Sequence, residues 1–183
     1  MKTLSEPGPK AAAPSLPQGY TCCNLHYERD WINDGNYAQY PMIPAGTPAK
    51  VLSYGRYRAN LDLNGKQIGL GQDYGRAQEP LEKFVQKYIV PTDPKPKIAS
   101  YPADVREAIR LGKVMKGMTK EQVIVSIGYP MTSETPSLDS PVWKYWVSSF
   151  AGYNLLWDSN GRVREIDAGP TAAAMIVHQP ARK

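Results

Sequence analysis

Two phenylalanines, two cysteines and two histidines are all that this chain of 183 residues carries of those types, and each shortage excludes something. The cysteines are neighbours, Cys22 and Cys23, a spacing that supplies neither a zinc half-site nor a CxxC redox motif. His26 would add a third ligand, but three groups on one short extended segment project to both of its faces, so they read as ordinary strand residues and no metal site is expected. Neither His26 nor His178 stands beside a Gly-x-Ser-x-Gly or a cysteine context that would make it a triad base. No run approaches the ~20 apolar residues that a membrane helix needs. A concentrated basic stripe is also missing. The net charge of +5 is spread along the chain, twelve Lys and Arg against nine Asp and Glu up to residue 100 and ten against eight beyond it, which argues against a nucleic-acid binder. The glycine-rich run Leu70 to Arg76 lacks the Gly-x-Gly-x-x-Gly and Gly-Lys-Ser/Thr patterns that cradle phosphate.

What is abundant is proline, glycine and tyrosine: 17, 15 and 12 residues, with four tryptophans. Short strands and turns follow, and the fold class expected is α+β. Residues 1–18, with Pro7, Pro9, Pro14 and Pro17 and no apolar period, read as a disordered tether, the way a mature envelope lipoprotein commonly begins. Residues 19–90 read as a β-rich domain with one helix. Its strands are Thr21 to Tyr27, Ala49 to Tyr54, and a hairpin of Ala59 to Leu63 with Lys66 to Leu70. Asn64-Gly65 is the turn, since both residues accept the positive φ of a type I′ turn, which sets Leu61 opposite Ile68 and Ala59 opposite Leu70. Pro80 opens a helix with Leu81, Phe84, Val85 and Tyr88 on one face. Residues 91–99, with Pro91, Pro94 and Pro96, form a stiff connector.

Residues 100–170 read as two helices and then strands. Pro102 opens the first, with Val105, Ala108 and Ile109 inward. Thr119 and Gln122 form a capping box that starts the second, and Gly128 with Pro130 stops it. Strands are expected near Met131 to Thr135 and over Val142 to Ser149, followed by a hairpin over Tyr153 to Ile166. In its turn, Gly161 in the left-handed region pairs Trp157 with Val163. Residues 171–183 read as a flexible tail that includes His178.

The run Gly117-Met118-Thr119-Lys120-Glu121-Gln122-Val123, followed by Ile127-Gly128-Tyr129-Pro130, Trp143-Lys144-Tyr145 and Gly161-Arg162-Val163 with Ile166, resembles the BamE (SmpA/OmlA) family of bacterial outer-membrane lipoprotein domains. The resemblance covers about Tyr101 to Asp167. It implies two packed helices followed by a three-stranded antiparallel sheet, in a non-catalytic module of the periplasm held at the outer membrane by a lipid on the native N-terminus. The partners it implies are envelope proteins, among them the outer-membrane β-barrel assembly machinery, and anionic lipid. The segment Ile43 to Leu52 looks faintly like the entrance to a bacterial SH3-type barrel. An SH3-like protein recognising peptide or peptidoglycan is therefore the alternative.

No enzyme is expected, and no cofactor. Asp158, Glu165 and Asp167 cluster in the second hairpin, where acid–base work would need one of them buried; the plain reading is solvated turn and edge residues. An unrecognised hydrolase is the third alternative. The binding candidates are aromatic and cationic: Trp146, Tyr153, Trp157, Tyr54 and Arg56. Alternation along Val142 to Val147 puts Trp143 and Tyr145 on one face and Trp146 on the other. Trp146 then either anchors a partner or packs against the N-terminal half, and the short stiff connector favours the second.

Overall fold

The computed structural model describes residues 15–73 and 79–180, so residues 1–14 of the tether expected over 1–18 lie outside the described residues. In chain order the elements are β1 (Gln18–Thr21), β2 (Leu25–His26), β3 (Trp31–Asn33), β4 (Met42–Ile43), β5 (Pro48–Tyr54), β6 (Arg58–Leu63) and β7 (Lys66–Gly71). Then come α1 (Leu81–Tyr88), β8 (Ile89–Val90), α2 (Lys95–Ala99), α3 (Ala103–Leu111) and α4 (Lys120–Ile127). The chain closes with β9 (Val142–Ser148), β10 (Ala151–Trp157), β11 (Val163–Asp167) and α5 (Pro170–Ile176). The fold is α+β.

The N-terminal half is a six-stranded mixed sheet of order β3-β7-β6-β5-β1-β8, with β2 and β4 pairing beside it. Asn64 and Gly65 take φ of 52° and 90°, and the register pairs Leu61 with Ile68 and Ala59 with Leu70, the expected buried face. Phe84, Val85 and Tyr88 of α1 close that core. The expected strand Thr21 to Tyr27 is instead two, because Cys22 and Cys23 are joined in a disulfide that turns the chain between β1 and β2. Against the expected tether, Pro17 O accepts from Val51 N at 2.9 Å and Gln18 pairs with Lys50, so these two residues belong to the sheet. The proline connector also carries structure: directly after β8, which pairs with β1, it forms the short helix α2, and Ile98 packs on the C-terminal core.

In the C-terminal half, Val105, Ala108 and Ile109 are buried and Gly112 ends α3 at φ 66°. The capping box of α4 is complete, Gln122 N donating to Thr119 Oγ1 at 3.2 Å and Thr119 N to Gln122 Oε1 at 3.0 Å. The sheet has order β11-β10-β9, and Trp157 pairs with Val163 across a turn in which Gly161 has φ 72°. Two expectations fail here. Residues 131–135 are a turn rather than a strand: Glu134 N and Thr135 N both donate to Met131 O, so these backbone groups are used within the turn and not in a ladder. Residues 170–176 are a helix rather than tail: Pro170 starts it, the alanines favour it, and Ala172 and Ile176, four apart, are buried in the core.

The halves are joined by two buried asparagines. Asn24 Nδ2 donates to Ile109 O at the end of α3 (2.7 Å) and to Ser126 O in α4 (3.0 Å), while Asn24 N donates to Val125 O (2.9 Å). Asn36 Nδ2 donates to Ile127 O (3.0 Å) and to Asn24 O (3.1 Å). With Gly128 N on Ile124 O, every one of the last four carbonyls of α4, groups with no partner inside the helix, is satisfied. In return Asn24 Oδ1 accepts from Ala45 N (2.9 Å) and Asn36 Oδ1 from His26 N (2.7 Å). Asn24→Ala leaves two buried carbonyls and one N–H without these partners, at about 1–3 kcal/mol each. A loss of at least about 3 kcal/mol is expected in urea titration, against ~1 kcal/mol for Thr119→Ala, which removes one cap acceptor. Equal losses in the two variants would show that the seam is not what holds the halves.

Candidate functional site

Along β9, Trp143, Tyr145 and Val147 turn inward and are buried, while Lys144 and Trp146 face out. Trp146 lies opposite Gly152 of β10. A Cβ at Gly152 would stand 2.8 Å from Lys144 Cε and Nζ and 3.2 Å from Trp146 Cε3, so the missing side chain is what lets both residues lie down on the strand. Lys144 Nζ sits 4.8 Å from the indole centroid, and Trp146 Nε1 donates to Glu134 Oε2 at 2.7 Å. The indole is thus oriented before any partner arrives, which lowers the entropy lost on binding. At the tip between β9 and β10, Phe150 is 98% exposed. Burying such a side chain is worth about 1.5–3 kcal/mol, and the fold leaves that contact unmade.

The N-terminal sheet repeats the device. Trp31 of β3 lies over Gly69 and Gly71 of β7, where a Cβ would come within 3.1 and 2.8 Å of the ring. Its Nε1 donates to Asp73 Oδ2 at 2.7 Å, and the Arg58 guanidinium stands 3.8 Å from its ring centroid. Nearby Tyr57, 65% exposed, has the Arg56 guanidinium 5.1 Å from its centroid.

Of the five binding candidates read from the sequence, Arg56 is exposed and Trp146 is half-buried. Tyr54 is half-buried against the N-terminal core, its hydroxyl pushed up by burial and then by the charge of Glu82. Tyr153 and Trp157 are corrections: both are buried and available to no partner. Tyr153 stacks on Tyr145 with centroids 5.8 Å apart, and Trp157 meets Trp143 edge to face at 4.6 Å. Tyr145 Oη donates to Gly128 O at 2.8 Å, and burial raises both tyrosine hydroxyls. The contacts that orient Trp146, with Glu134, Lys144 and Gly152, all come from the C-terminal half. Trp31 and Phe150 join the surface residues without a motif of their own in the sequence. The signal for Trp31 was the pair Gly69 and Gly71, two apart in a strand and so open on one face.

Asp158 is a turn residue, its Oδ1 accepting from Asn160 N (2.8 Å) and Arg162 N (3.0 Å). Glu165 and Asp167 are exposed on β11. Among the described residues no three His, Cys, Asp or Glu side chains converge to hold a metal ion. No helix among them is long and apolar enough to cross a membrane. The chain matches no family model, no curated protein and no solved structure.

His26 sits at the seam rather than in a site. Its Nδ1 lies 2.7 Å from Tyr40 O, a carbonyl that can only accept, so Nδ1 carries the proton. Burial holds the imidazole below its ordinary 6.5, against the raising effect of that bond. The unfolded chain therefore takes up a proton that the folded one refuses as pH falls below about 6.5. Stability is full above that pH and declines as pH drops toward the lowered folded value. Melting curves between pH 7.5 and 5.5 should show this decline, and it should shrink in His26→Gln; an identical slope in the variant would assign the decline to other groups.

Proposed function

We propose that this chain is a non-catalytic binding module of the bacterial cell envelope, which engages a protein partner through the outer face of its C-terminal sheet. The observation that carries the reading is the pairing of an oriented, half-exposed Trp146 with a fully presented Phe150 one turn along the same hairpin. Aromatic anchors that are rigid before contact are the usual centre of protein interfaces. The envelope setting, with a lipid-held position at the outer membrane and β-barrel assembly proteins as the first partners to test, rests on the motifs from Gly117 to Pro130. A second reading, an SH3-like module for peptide or peptidoglycan, is favoured by Trp31, Arg58 and Tyr57 on the N-terminal sheet.

A photo-crosslinking side chain at position 150, in intact envelopes, should capture a discrete protein adduct. Trp146→Ala should weaken that interaction by ~2 kcal/mol or more while leaving the melting temperature near that of the parent chain. An adduct that persists in Trp146→Ala, or none at all, rejects this surface. Retention of wall fragments by the purified chain, lost in Trp31→Ala, would favour the second reading instead.

A further inference from the structure

The segment after α5 is zipped to the loop between α3 and α4, Val114 N donating to Ile176 O and His178 N to Val114 O, both at 2.8 Å. It does not join β11, the end strand of its sheet. Between them lies a cleft of about 390 Å³. Met115, Ile166, Val177 and Pro180 make its apolar lining, and Lys116 and His178 stand among them.

The lining selects a ligand class. Its apolar residues are all aliphatic or thioether, with no aromatic ring on which a base or sugar could stack, and methionine adapts its shape to an alkyl chain. The volume is at the small end of the range for ligand sites, enough for one unbranched tail. Among the described residues no carboxylate lines the cleft, Lys116 brings its one standing positive charge, and no ion pair engages Lys116 or His178. Glu107 is the carboxylate that feels His178, and both of its oxygens are held by Arg110 at 2.8 and 2.6 Å. We infer that this cleft binds a free medium-chain aliphatic carboxylate, its tail on Met115, Ile166 and Val177 and its head group between Lys116 and His178. This site is separate from the outer sheet face and independent of the protein-partner reading.

The test uses the full chain with decanoate below its micelle concentration, followed by amide NMR and calorimetry. Decanoate should saturate and shift the amides of Met115, Ile166, Val177 and His178, while decyltrimethylammonium, with the same tail and the opposite charge, should not. Lys116→Glu, at an exposed position, should melt like the parent and bind decanoate at least tenfold more weakly; His178→Gln should weaken it in the same direction. Equal binding of the two head groups, shifts confined to other regions, or unchanged affinity in a folded Lys116→Glu would overturn the assignment. So would saturable binding of an apolar peptide with a free C-terminal carboxylate where decanoate fails, which would give the cleft to peptide ends.

Discussion

The end of α4 is where this structure is made or lost. A helix of eight residues leaves half of its carbonyls without internal partners, and here they are buried. Three of the last four are answered by Asn24 and Asn36, which belong to the other half of the chain and lie about a hundred residues away. The amide geometry is directional, so the clamp fixes orientation as well as contact. It also explains smaller features around it: Asn36 takes φ 44°, and Gly128 has no room for a Cβ, which would stand 2.7 Å from Asn36 Nδ2. The two halves are therefore a cooperative pair, each completing the hydrogen bonding of the other.

Each sheet buries its inner face in its own core, which leaves the outer faces exposed. The same construction appears on both sheets, a tryptophan laid over a strand glycine with its indole N–H tied to a carboxylate. The two differ in what covers the ring. Arg58 lies close over Trp31 at 3.8 Å, whereas Lys144 stands 4.8 Å from the Trp146 ring centroid, and Phe150 is exposed at the tip of the same hairpin. At the C-terminal sheet an oriented indole is thus found on the same hairpin as an apolar side chain whose contact the fold leaves unmade. The aliphatic cleft beside β11 has another origin, the zipping of the last segment onto Val114.

Features decided within a few residues were legible. The Asn64-Gly65 turn, the Thr119 and Gln122 box, Gly112 and Gly128 at helix ends, and the phase of β9 each depend on local backbone sterics or a cap that reaches one turn. The short apolar stripe of α5 was too weak to separate a helix from a tail, and residues 131–135 had strand-like composition without a partner to pair with. Tyr153 and Trp157 failed for a different reason. Their inward phase follows from the register with β9 through the irregularity at Ala151 and Gly152, and one shifted residue exchanges the two faces of a strand.

By itself, then, the sequence determined where helices start and stop, which way the hairpins turn, and that the chain is α+β with a β-rich first half. Those are short-range matters, set by dihedral limits and by hydrogen bonds that span a few residues. Only the tertiary structure decided that Asn24 and Asn36 are structural clamps, that Trp31 and Trp146 are the oriented rings, and that a largely aliphatic cleft opens beside Ile166. An asparagine, a tryptophan or a lysine acts through whatever its polar or aromatic group meets, and those partners come from distant parts of the chain whose approach no local period encodes.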